Sequence, residues 1–144
     1  YQPDFHKTKR TQLGFALSDI SDNLPAAFFI YRADKEDERI LYANQEMLQL
    51  TGCTDLDDFM HFTKHQFRNL VHPEDLAQVE ESIWQQIESG TNGYNDYVKY
   101  RLAAKDGTYK TVLDYGRIVE SEYYGSVFYV LVVDYGFIKT HYDD

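Results

Sequence analysis

The sequence predicts an α+β fold in which a five-stranded antiparallel sheet carries helices on one face and an N-terminal helix on the other. Three observations indicate this fold class. One long amphipathic helix is marked at both ends, three strand-like segments follow it, and two of the predicted strands are apolar without alternation. In an antiparallel sheet, such continuous apolar character indicates strands that are covered on both faces.

Length and composition limit the number of domains and the classes of function. The chain has 144 residues, of which 43% are hydrophobic and 16% aromatic, so we expect one globular domain. The formal net charge of −10 argues against nucleic acid and against direct contact with an anionic membrane, because both require positive charge. The single cysteine, Cys53, excludes an internal disulfide and indicates a reducing compartment, which we take to be the cytoplasm.

The first predicted element is a helix that starts at Thr11 and ends before Pro25. Its apolar residues are spaced four, three and four apart, as in one side of a short coiled coil. These residues are Leu13, Leu17, Ile20 and Leu24. Two roles stay open for this helix. It lies on the sheet of its own domain, or it is a dimerisation helix continuous with an upstream signalling element, and one helix can do both.

Two strands are predicted next, over residues 26–33 and 39–43, with a charged turn between them. The first strand is apolar and rich in bulky side chains. These residues form one of the two segments that do not alternate, and the final strand is the other.

Short helices follow the second strand. Asn44 can cap a helix over residues 45–50, and Gly52 terminates it. Residues 55–67 are irregular and aromatic, and we expect two short helical turns there. The aromatic side chains that we expect to point inward are Phe59, Phe62 and Phe67.

The long helix begins after His72, which is the predicted N-cap, and has Pro73 at its first position, where a missing N–H is harmless. Asp75 is the third helical residue, from which a carboxylate can reach back to the N–H of the capping residue. Gly90 ends the helix. One apolar stripe along it, with Trp84 at its edge, comprises Leu76, Val79, Ile83 and Ile87.

Three strands complete the predicted sheet, over residues 94–102, 108–119 and 127–135, and a hairpin turn joins the first two of them. In residues 94–102, Val98, Tyr100 and Leu102 share one face. Because the first and last strands of the chain are apolar throughout, we expect them to be neighbours at the centre of the sheet. The N-terminal helix or a partner subunit would then cover their outer face.

The sequence resembles the PAS domain family. The segments that carry the resemblance are LYANQEMLQLTGC (41–53), LVHPEDL (70–76), YRLAAKDGTYKTVLDYGRIV (100–119) and VFYVLVVD (127–134). The resemblance implies a five-stranded antiparallel sheet with the first and last strands central. The spacing and the acidic loops look particularly like those of modules placed before diguanylate cyclase or other bacterial signalling outputs.

The resemblance divides the chain into three parts. Residues 1–24 are the N-terminal flanking or dimerisation helix, residues 25–136 the PAS domain, and residues 137–144 a tail toward an output domain. Because the sequence begins at Tyr1 and not at methionine, we expect it to be a piece of a longer protein. Many family members end the last strand with Asp-Ile-Thr and continue into an output helix. Here Asp134 marks that junction, but Gly136 disfavours a helix that starts at once.

Metal and haem sites are not favoured by the histidines. His61 and His65 are four residues apart, but no third ligand accompanies them, so we expect a solvated pair on a helix. His72 stands before Pro73 as a cap. Haem-binding members of the family usually ligate haem from the long helix, which contains no histidine in this sequence.

A flavin is not favoured by Cys53. Flavin photoreceptors of the family resemble one another through an Asn-Cys-Arg-Phe-Leu-Gln segment, which this sequence lacks. Cys53 instead follows a glycine at a predicted helix end, so we interpret it as a small, semi-buried residue. No cofactor is predicted, although an unidentified small ligand stays open.

The remaining candidate site is an apolar pocket between the sheet and the helices, oriented by a few polar groups such as tyrosine hydroxyls. Its candidate wall residues are Phe59, Phe62, Phe67, Val79 and Ile83. The alternative is that the aromatic side chains simply fill this space.

Three functional hypotheses follow. The first is a sensory or regulatory module of a multidomain bacterial protein, which relays a ligand or partner state through the packing of a homodimer to a covalently linked output domain. The second is a ligand-free dimerisation or docking domain. The third is a small α+β enzyme. The sequence contains no phosphate-binding loop and no catalytic constellation, which argues against this hypothesis.

Overall fold

The computed structural model describes residues 14–142, in which helices pack on one face of a single antiparallel sheet. This confirms the predicted α+β fold class. The elements in chain order are α1 (Leu17–Ser21), β1 (Ala27–Arg32), β2 (Ile40–Ala43), α2 (Gln45–Thr51), α3 (Leu56–Thr63), a 3₁₀ helix (Phe67–Leu70), α4 (Pro73–Ser89), β3 (Asn95–Ala103), β4 (Tyr109–Ser121), β5 (Gly125–Asp134) and α5 (Tyr135–Tyr142).

The sheet has the strand order β2-β1-β5-β4-β3, and every neighbouring pair is antiparallel. The prediction that the first and last strands are neighbours is therefore confirmed, with β5 at the centre. Phe29 of β1 stands opposite Val130 of β5, which stands opposite Gly116 of β4. These three residues face the helices, and both apolar side chains among them are fully buried.

Helix α4 has the predicted ends. The Nδ1 atom of His72 accepts a hydrogen bond from the N–H of Glu74 at 3.0 Å, and Pro73 occupies the first helical position. Gly90 ends the helix with a positive φ of 68°, a left-handed conformation that glycine adopts without a steric penalty. Val79 and Ile83 are the buried residues of its apolar stripe.

Asp75 does not make the predicted bond to the helix cap. Its Oδ2 atom accepts from the backbone N–H and from Nε of Arg101, both at 3.0 Å, and its Oδ1 atom accepts from Nη2 at 2.8 Å. The N–H of His72 donates instead to the carbonyl of Arg101 at 2.9 Å. A charged, forked guanidinium is a stronger partner than one helix N–H, so the tertiary contact wins. The start of α4 is thereby fastened to β3.

The predicted N-terminal helix is much shorter than expected. Within the described residues it runs only over Leu17–Ser21, so Leu24 lies beyond it, and Leu13 lies outside the part that the structure describes. The carbonyl of Ser21 accepts from Nδ2 of Asn44 at 2.8 Å, and the Asp22 carboxylate accepts from the N–H of Gln45. These contacts with the start of α2 end the helix before the periodicity does.

Helix α1 does not cover the outer face of the sheet. It has no buried residue, and Tyr129 and Leu131 on the outer face of β5 remain 44% and 40% exposed. The contact of α1 with the sheet is a 2.6 Å hydrogen bond between the hydroxyls of Ser21 and Tyr42. Among the described residues, the outer face therefore stays open around Tyr129 and Leu131.

The irregular segment before α4 contains one regular helix, α3, and not two short turns. Asp55 caps it by accepting from the N–H of Asp58 at 2.8 Å. The helix ends at Thr63, so His61 and His65 do not share a helical face as predicted. His65 has a φ of 63° and both imidazoles are exposed. The 3₁₀ helix that follows buries Phe67 and Leu70.

The chain continues from β5 directly into α5, contrary to the prediction for Gly136. The Asp134 carboxylate accepts from the N–H of Phe137 at 3.2 Å and so satisfies one of the free donors at the helix start. A Cβ atom on residue 136 would stand 3.2 Å from Oδ1 of Asp134. Glycine therefore makes room for the capping carboxylate, which offsets its low helix propensity. No helix within residues 14–142 is long and apolar enough to cross a membrane.

Candidate functional site

Four carboxyl groups lie in the space between α4 and the inner face of the sheet. Glu38, Asp96 and Asp114 are only 3%, 1% and 2% exposed. Glu80 reaches in from α4 and buries its Oε2 atom. Buried carboxylates are costly unless they are paired, so four of them in one core region mark it as a candidate site.

Four different segments bring these groups together: β3, β4, α4 and the residues before β2. Asp96 and Asp114 lie on the inner face of the sheet, where the register places them opposite Gly116 and Val98. Glu38 precedes β2, and its backbone is held by the 3₁₀ region. Its N–H donates to Oε1 of Gln66 at 2.9 Å, and its carbonyl accepts from the N–H of Phe67 at 3.0 Å.

Asp114 has a hydroxyl partner. Its Oδ2 atom accepts from the phenol of Tyr100 at 2.7 Å, and both side chains are buried. Burial raises the pKa of Asp114 well above its usual range, and the charge of Asp96 adds to the effect, while the Tyr100 hydrogen bond opposes it. Asp114 therefore favours its neutral form.

Asp96 has no hydrogen-bond partner for either carboxylate oxygen. Burial raises the pKa of this carboxyl to about 7. Gly116 makes its position available, because a Cβ atom there would stand 2.6 Å from Oδ2 of Asp96. The absence of a side chain on β4 thus creates the space in which this carboxyl is held.

Glu38 and Glu80 form a pair of carboxyls. Burial, and then the hydrogen bond and charge of Glu80, raise the pKa of Glu38 to about 8, although Arg68 opposes this. Arg68 donates from Nε to Oε1 of Glu38 at 3.3 Å. The Oε2 atom of Glu80 has no hydrogen-bond donor within reach.

Tyr31 is influenced electrostatically by all four carboxyl groups. Burial raises the pKa of its phenol well above the usual value, and the charges of all four carboxyls act in the same direction. We refer to this group as the acidic cluster, which consists of Tyr31, Tyr100, Glu38, Glu80, Asp96 and Asp114.

Aromatic rings fill much of the space around the acidic cluster. The ring of Tyr31 stacks on Phe67 with centroids 4.4 Å apart and lies 5.2 Å from the ring of Phe128. Trp84 of α4 meets Phe128 edge to face at 5.5 Å. The interior is therefore a closely packed mixture of rings and carboxyls.

A crevice of about 390 Å³ opens between the β1–β2 loop and α4, directly beside the acidic cluster. We call it the α4 crevice. Its lining residues are Lys35, Glu38, Glu80, Glu81, Trp84, Gln85 and Glu88. The Nζ atom of Lys35 lies 5.3 Å from the centroid of the Trp84 ring and 3.0 Å from Oε2 of Glu88.

Two other concave surfaces are present on the described part of the chain. One, of about 600 Å³, lies between α4 and β3 and is lined by both members of the Asp75–Arg101 pair. The backbone N–H and carbonyl of Tyr97, which lines this surface, are hydrogen-bonded to the side-chain amide of Gln86, each at 3.0 Å. The other, of about 330 Å³, lies between α5 and the start of β1.

The predicted wall residues are mostly core. Phe59 and Phe67 are fully buried, Val79 and Ile83 are nearly so, and Phe62 is half-buried against the same core. Phe67 contacts Tyr31 in the acidic cluster, and Val79 lines the 600 Å³ surface. The structure thus places these residues around the interior without bringing them together at one opening.

The sequence interpretation missed the acidic cluster, although a signal was present. The alternation that placed Val98 and Tyr100 on one face also puts Asp96 on that face, and Asp114 has the same phase as the buried Val112. An acidic residue in phase with buried neighbours is the feature that could have identified the cluster.

The predicted dimerisation residues are exposed where the structure describes them. Leu17 is 80% exposed and Ile20 46%, while Leu24 is half-buried. Phe15 precedes them and is also exposed. Tyr129 and Leu131 on the outer face of the sheet are exposed as well.

Metal chemistry finds no support in the described residues. Across residues 14–142, no three His, Cys, Asp or Glu side chains are arranged so that they could hold a metal ion. Cys53 is buried, and burial raises the pKa of its thiol, which disfavours the reactive thiolate.

The sequence profile of the PAS fold family matches residues 40–133, more than half of the chain. No curated protein sequence matches. Solved structures do. The chain is similar to a PAS domain from Colwellia psychrerythraea, with a TM-score of 0.61 and 16% identity over 90% of this chain and 98% of that one.

Two further solved structures show the same fold. The N-terminal domain of a diguanylate cyclase with PAS/PAC sensor from Marinobacter aquaeolei has a TM-score of 0.54 and 18% identity, over 78% of this chain and 96% of that chain. A Rhodobacter sphaeroides LOV protein has a TM-score of 0.64 and 17% identity, over 90% of this chain and 68% of that chain.

Proposed function

The chain belongs to the PAS fold family, and we propose that it is a sensory and regulatory module of a multidomain bacterial signalling protein. The acidic cluster is the observation that carries this proposal. Groups with strongly shifted pKa values concentrate at functional sites, since a core selected only for stability would replace them. We infer that a small ligand or a partner acts on this interior and shifts the packing of the domain.

We propose that the output is a change in the packing of a homodimer. The exposed residues Phe15, Leu17 and Ile20, and the open outer face at Tyr129 and Leu131, supply apolar surface for a second copy. The outer and inner faces belong to the same strands, so a rearrangement around Asp96 or Asp114 would be felt by residues on the opposite side. A ligand with different affinities for two packings would then shift their populations.

We propose Asp134 as the output junction. It ends the central strand and caps α5, so strand and helix are joined without a flexible linker. A displacement of β5 would be transmitted to α5 and from there to an output domain in the parent protein. Similarity to the N-terminal domain of a diguanylate cyclase supports an output of that kind, and such a protein would act in the cytoplasm.

One observation favours a second candidate function, a dimerisation or docking domain that binds no small ligand. The stacked rings of Tyr31, Phe67 and Phe128 occupy the interior in which a ligand would be held. In this account the same outer face and N-terminal segment carry the function, and signal enters from a neighbouring domain.

The first experiment is native mass spectrometry of freshly purified protein before extensive dialysis. A mass above that of the chain, lost on denaturation, would support ligand sensing. A dimer of the bare chain would support the docking domain. A bare monomer would contradict the dimer in both accounts.

The variant Leu17→Glu tests the N-terminal part of the dimer surface. Because Leu17 is 80% exposed, the substitution should leave the folding of each protomer unchanged while placing a charge in the apolar contact. We expect a folded monomer in light scattering. The matched control is Glu122→Gln in the exposed β4–β5 turn, and an unchanged dimer for Leu17→Glu would rule out this contact.

A further inference from the structure

We propose that the α4 crevice binds a small organic cation, a primary alkylammonium whose charge is balanced by Glu38 and Glu80. This inference rests on the proposed sensory function and names the chemical class of the ligand. Three independent features carry it: the charge of the lining, a lysine that already occupies part of the crevice, and buried carboxylate oxygens that have no donor.

The lining of the crevice is strongly acidic. Four of its residues are glutamates, against which Lys35 is the one cation among the described lining residues. Arg68 donates one hydrogen bond to Glu38. A concave surface with this excess of one sign attracts ligands of the opposite sign.

Lys35 indicates which cation fits. Its ammonium lies over the face of Trp84 at 5.3 Å and pairs with Glu88 at 3.0 Å, which is the combination of ring face and carboxylate that binds an alkylammonium. Both partners of the ion pair are about 60% exposed, so it is weak and easily exchanged. Lys35 is therefore a tethered competitor, because its own ammonium occupies the position that a ligand ammonium would take.

The unpaired oxygens show that the acidic cluster lacks donors. Asp96 is 1% exposed, and neither of its carboxylate oxygens has a hydrogen-bond partner. The buried Oε2 atom of Glu80 also lacks a partner. The charges of both groups raise the pKa of Tyr31. A primary ammonium carries three N–H donors, whereas a metal ion requires a ligand geometry that no group of described residues supplies. The ring of Trp84 offers an apolar surface for the alkyl body.

Protons are the competing source of positive charge. Glu38 has a pKa of about 8, so it is mostly protonated at neutral pH and must release its proton when a cation takes its place. The charged and titratable groups around the Glu38–Glu80 pair are Arg68 and Tyr31 and, in the lining of the crevice, Lys35, Glu81 and Glu88. Binding of an ammonium should therefore release protons and become tighter as the pH rises from about 6 to about 8.

The test is titration calorimetry with n-butylammonium chloride, and 1-butanol as the matched uncharged probe. An alkylammonium has a pKa near that of lysine, about 10, so it stays charged over this range. We expect a dissociation constant of about 1 mM or tighter for the ammonium and no binding of the alcohol. Repeating the titration in two buffers of different ionisation enthalpy should reveal proton release.

Two variants make the assignment specific. Glu80→Gln should weaken binding about tenfold, and Lys35→Gln should tighten it severalfold by removing the tethered competitor. Their matched controls are Glu122→Gln and Lys139→Gln, which change the same charges at exposed positions away from the crevice. Asp96→Asn, nearly isosteric, is the second test of the cluster and should reduce the proton release.

Equal heats from butylammonium and butanol, or binding that Glu80→Gln leaves unchanged, would overturn the proposal. So would a loss of affinity in Lys35→Gln. If butylammonium fails to bind but native mass spectrometry finds another bound molecule, the ligand class is wrong and the sensory function stands. If the protein is also bare in that experiment, the sensing of a small ligand fails as well.

Discussion

Asp75 and Asp96 lie on the two sides of the contact between α4 and β3, and their environments are opposite. Asp75, at the rim, accepts three hydrogen bonds from Arg101, and these lower its pKa to about 2. Asp96, on the inner face of β3, accepts none, and burial raises its pKa to about 7. The same side chain therefore stabilises the fold at one position and weakens it at the other.

The difference shows that the hydrogen-bond donors around a carboxylate, and not the type of residue, decide whether it stabilises the fold. The Asp75 carboxylate at the rim holds α4 against the edge strand β3, and this role accounts for its hydrogen bonds. The interior carboxylate is held in place by the space above Gly116, yet nothing described in the chain uses its hydrogen-bonding capacity. We assign stability to the first region and the reception of a signal to the second.

Asp96→Asn removes the interior charge and gives the largest expected effect. Because the pKa of Asp96 is raised in the folded state, its neutral form stabilises the fold fully below the unfolded-state pKa of about 4, and this is lost as the pH rises toward about 7. Between about pH 5 and pH 8 the unsubstituted chain should lose roughly 2–3 kcal/mol through this group. Urea unfolding at both pH values measures the loss.

In the Asp96→Asn variant this part of the pH dependence should be absent, so the variant should be the more stable protein at about pH 8. Glu38 and Asp114 titrate in both proteins. Because the charge of Asp96 raises the pKa of Asp114, the difference between the two proteins reports Asp96 together with its effect on Asp114. Asp57→Asn, at an exposed position on α3, is the control and should follow the unsubstituted chain. Parallel stability curves for Asp96→Asn and its parent would show that Asp96 is not held in this environment.

Gly116→Ala tests whether the space on β4 is what holds Asp96. The new Cβ atom would stand 2.6 Å from Oδ2 of Asp96, so one of the two must move. Overpacking of this kind should lower the free energy of unfolding by about 2 kcal/mol, measured in urea at about pH 5.

The double variant Asp96→Ala, Gly116→Ala should recover most of that loss, because the clash is gone. This makes the two positions strongly non-additive in a double-mutant cycle. Additive losses would mean that the glycine serves some purpose other than making room for the carboxyl.

The fold could be predicted because its signals are local. His72, Pro73 and Gly90 act on their own helix ends, and the continuous apolar strands identified the centre of the sheet without any knowledge of contacts. Two of the predictions that were wrong depended on distant partners. Asn44 helps to end α1, and Arg101 takes Asp75 away from the helix cap.

The candidate site was harder to predict for a related reason. A sequence shows that Asp96 is in phase with buried neighbours, but it does not show whether a partner will meet it there. Whether a hydrogen-bond donor reaches Asp96 depends on which residues of α4 and of the β1–β2 loop face the strand. Only the tertiary fold brings those residues together. Phe67 was predicted as a wall residue and does contact Tyr31, because an aromatic residue in an apolar segment is buried under almost any arrangement.

Arg101→Met tests the rim region and has the smallest expected effect. The Arg101 side chain is 41% exposed, so solvent screens the pair, and the loss at about pH 7 should be only about 1 kcal/mol. The sign of the pH dependence is opposite to that of Asp96. Because the pKa of Asp75 is lowered to about 2 in the folded state, its contribution is present above the unfolded-state pKa of about 4 and is lost as the pH falls toward 2.

The gap between Arg101→Met and the unsubstituted chain should therefore close between about pH 4 and pH 2, in thermal unfolding at several pH values. Arg117→Met, which removes an exposed arginine from the neighbouring strand β4, is the matched control and should show no such closing gap. A gap that stays constant down to pH 2 would mean that Arg101 contributes through the packing of its alkyl chain. The rim and the interior would then differ in burial alone, and the contrast in partner supply between Asp75 and Asp96 would lose its explanatory role.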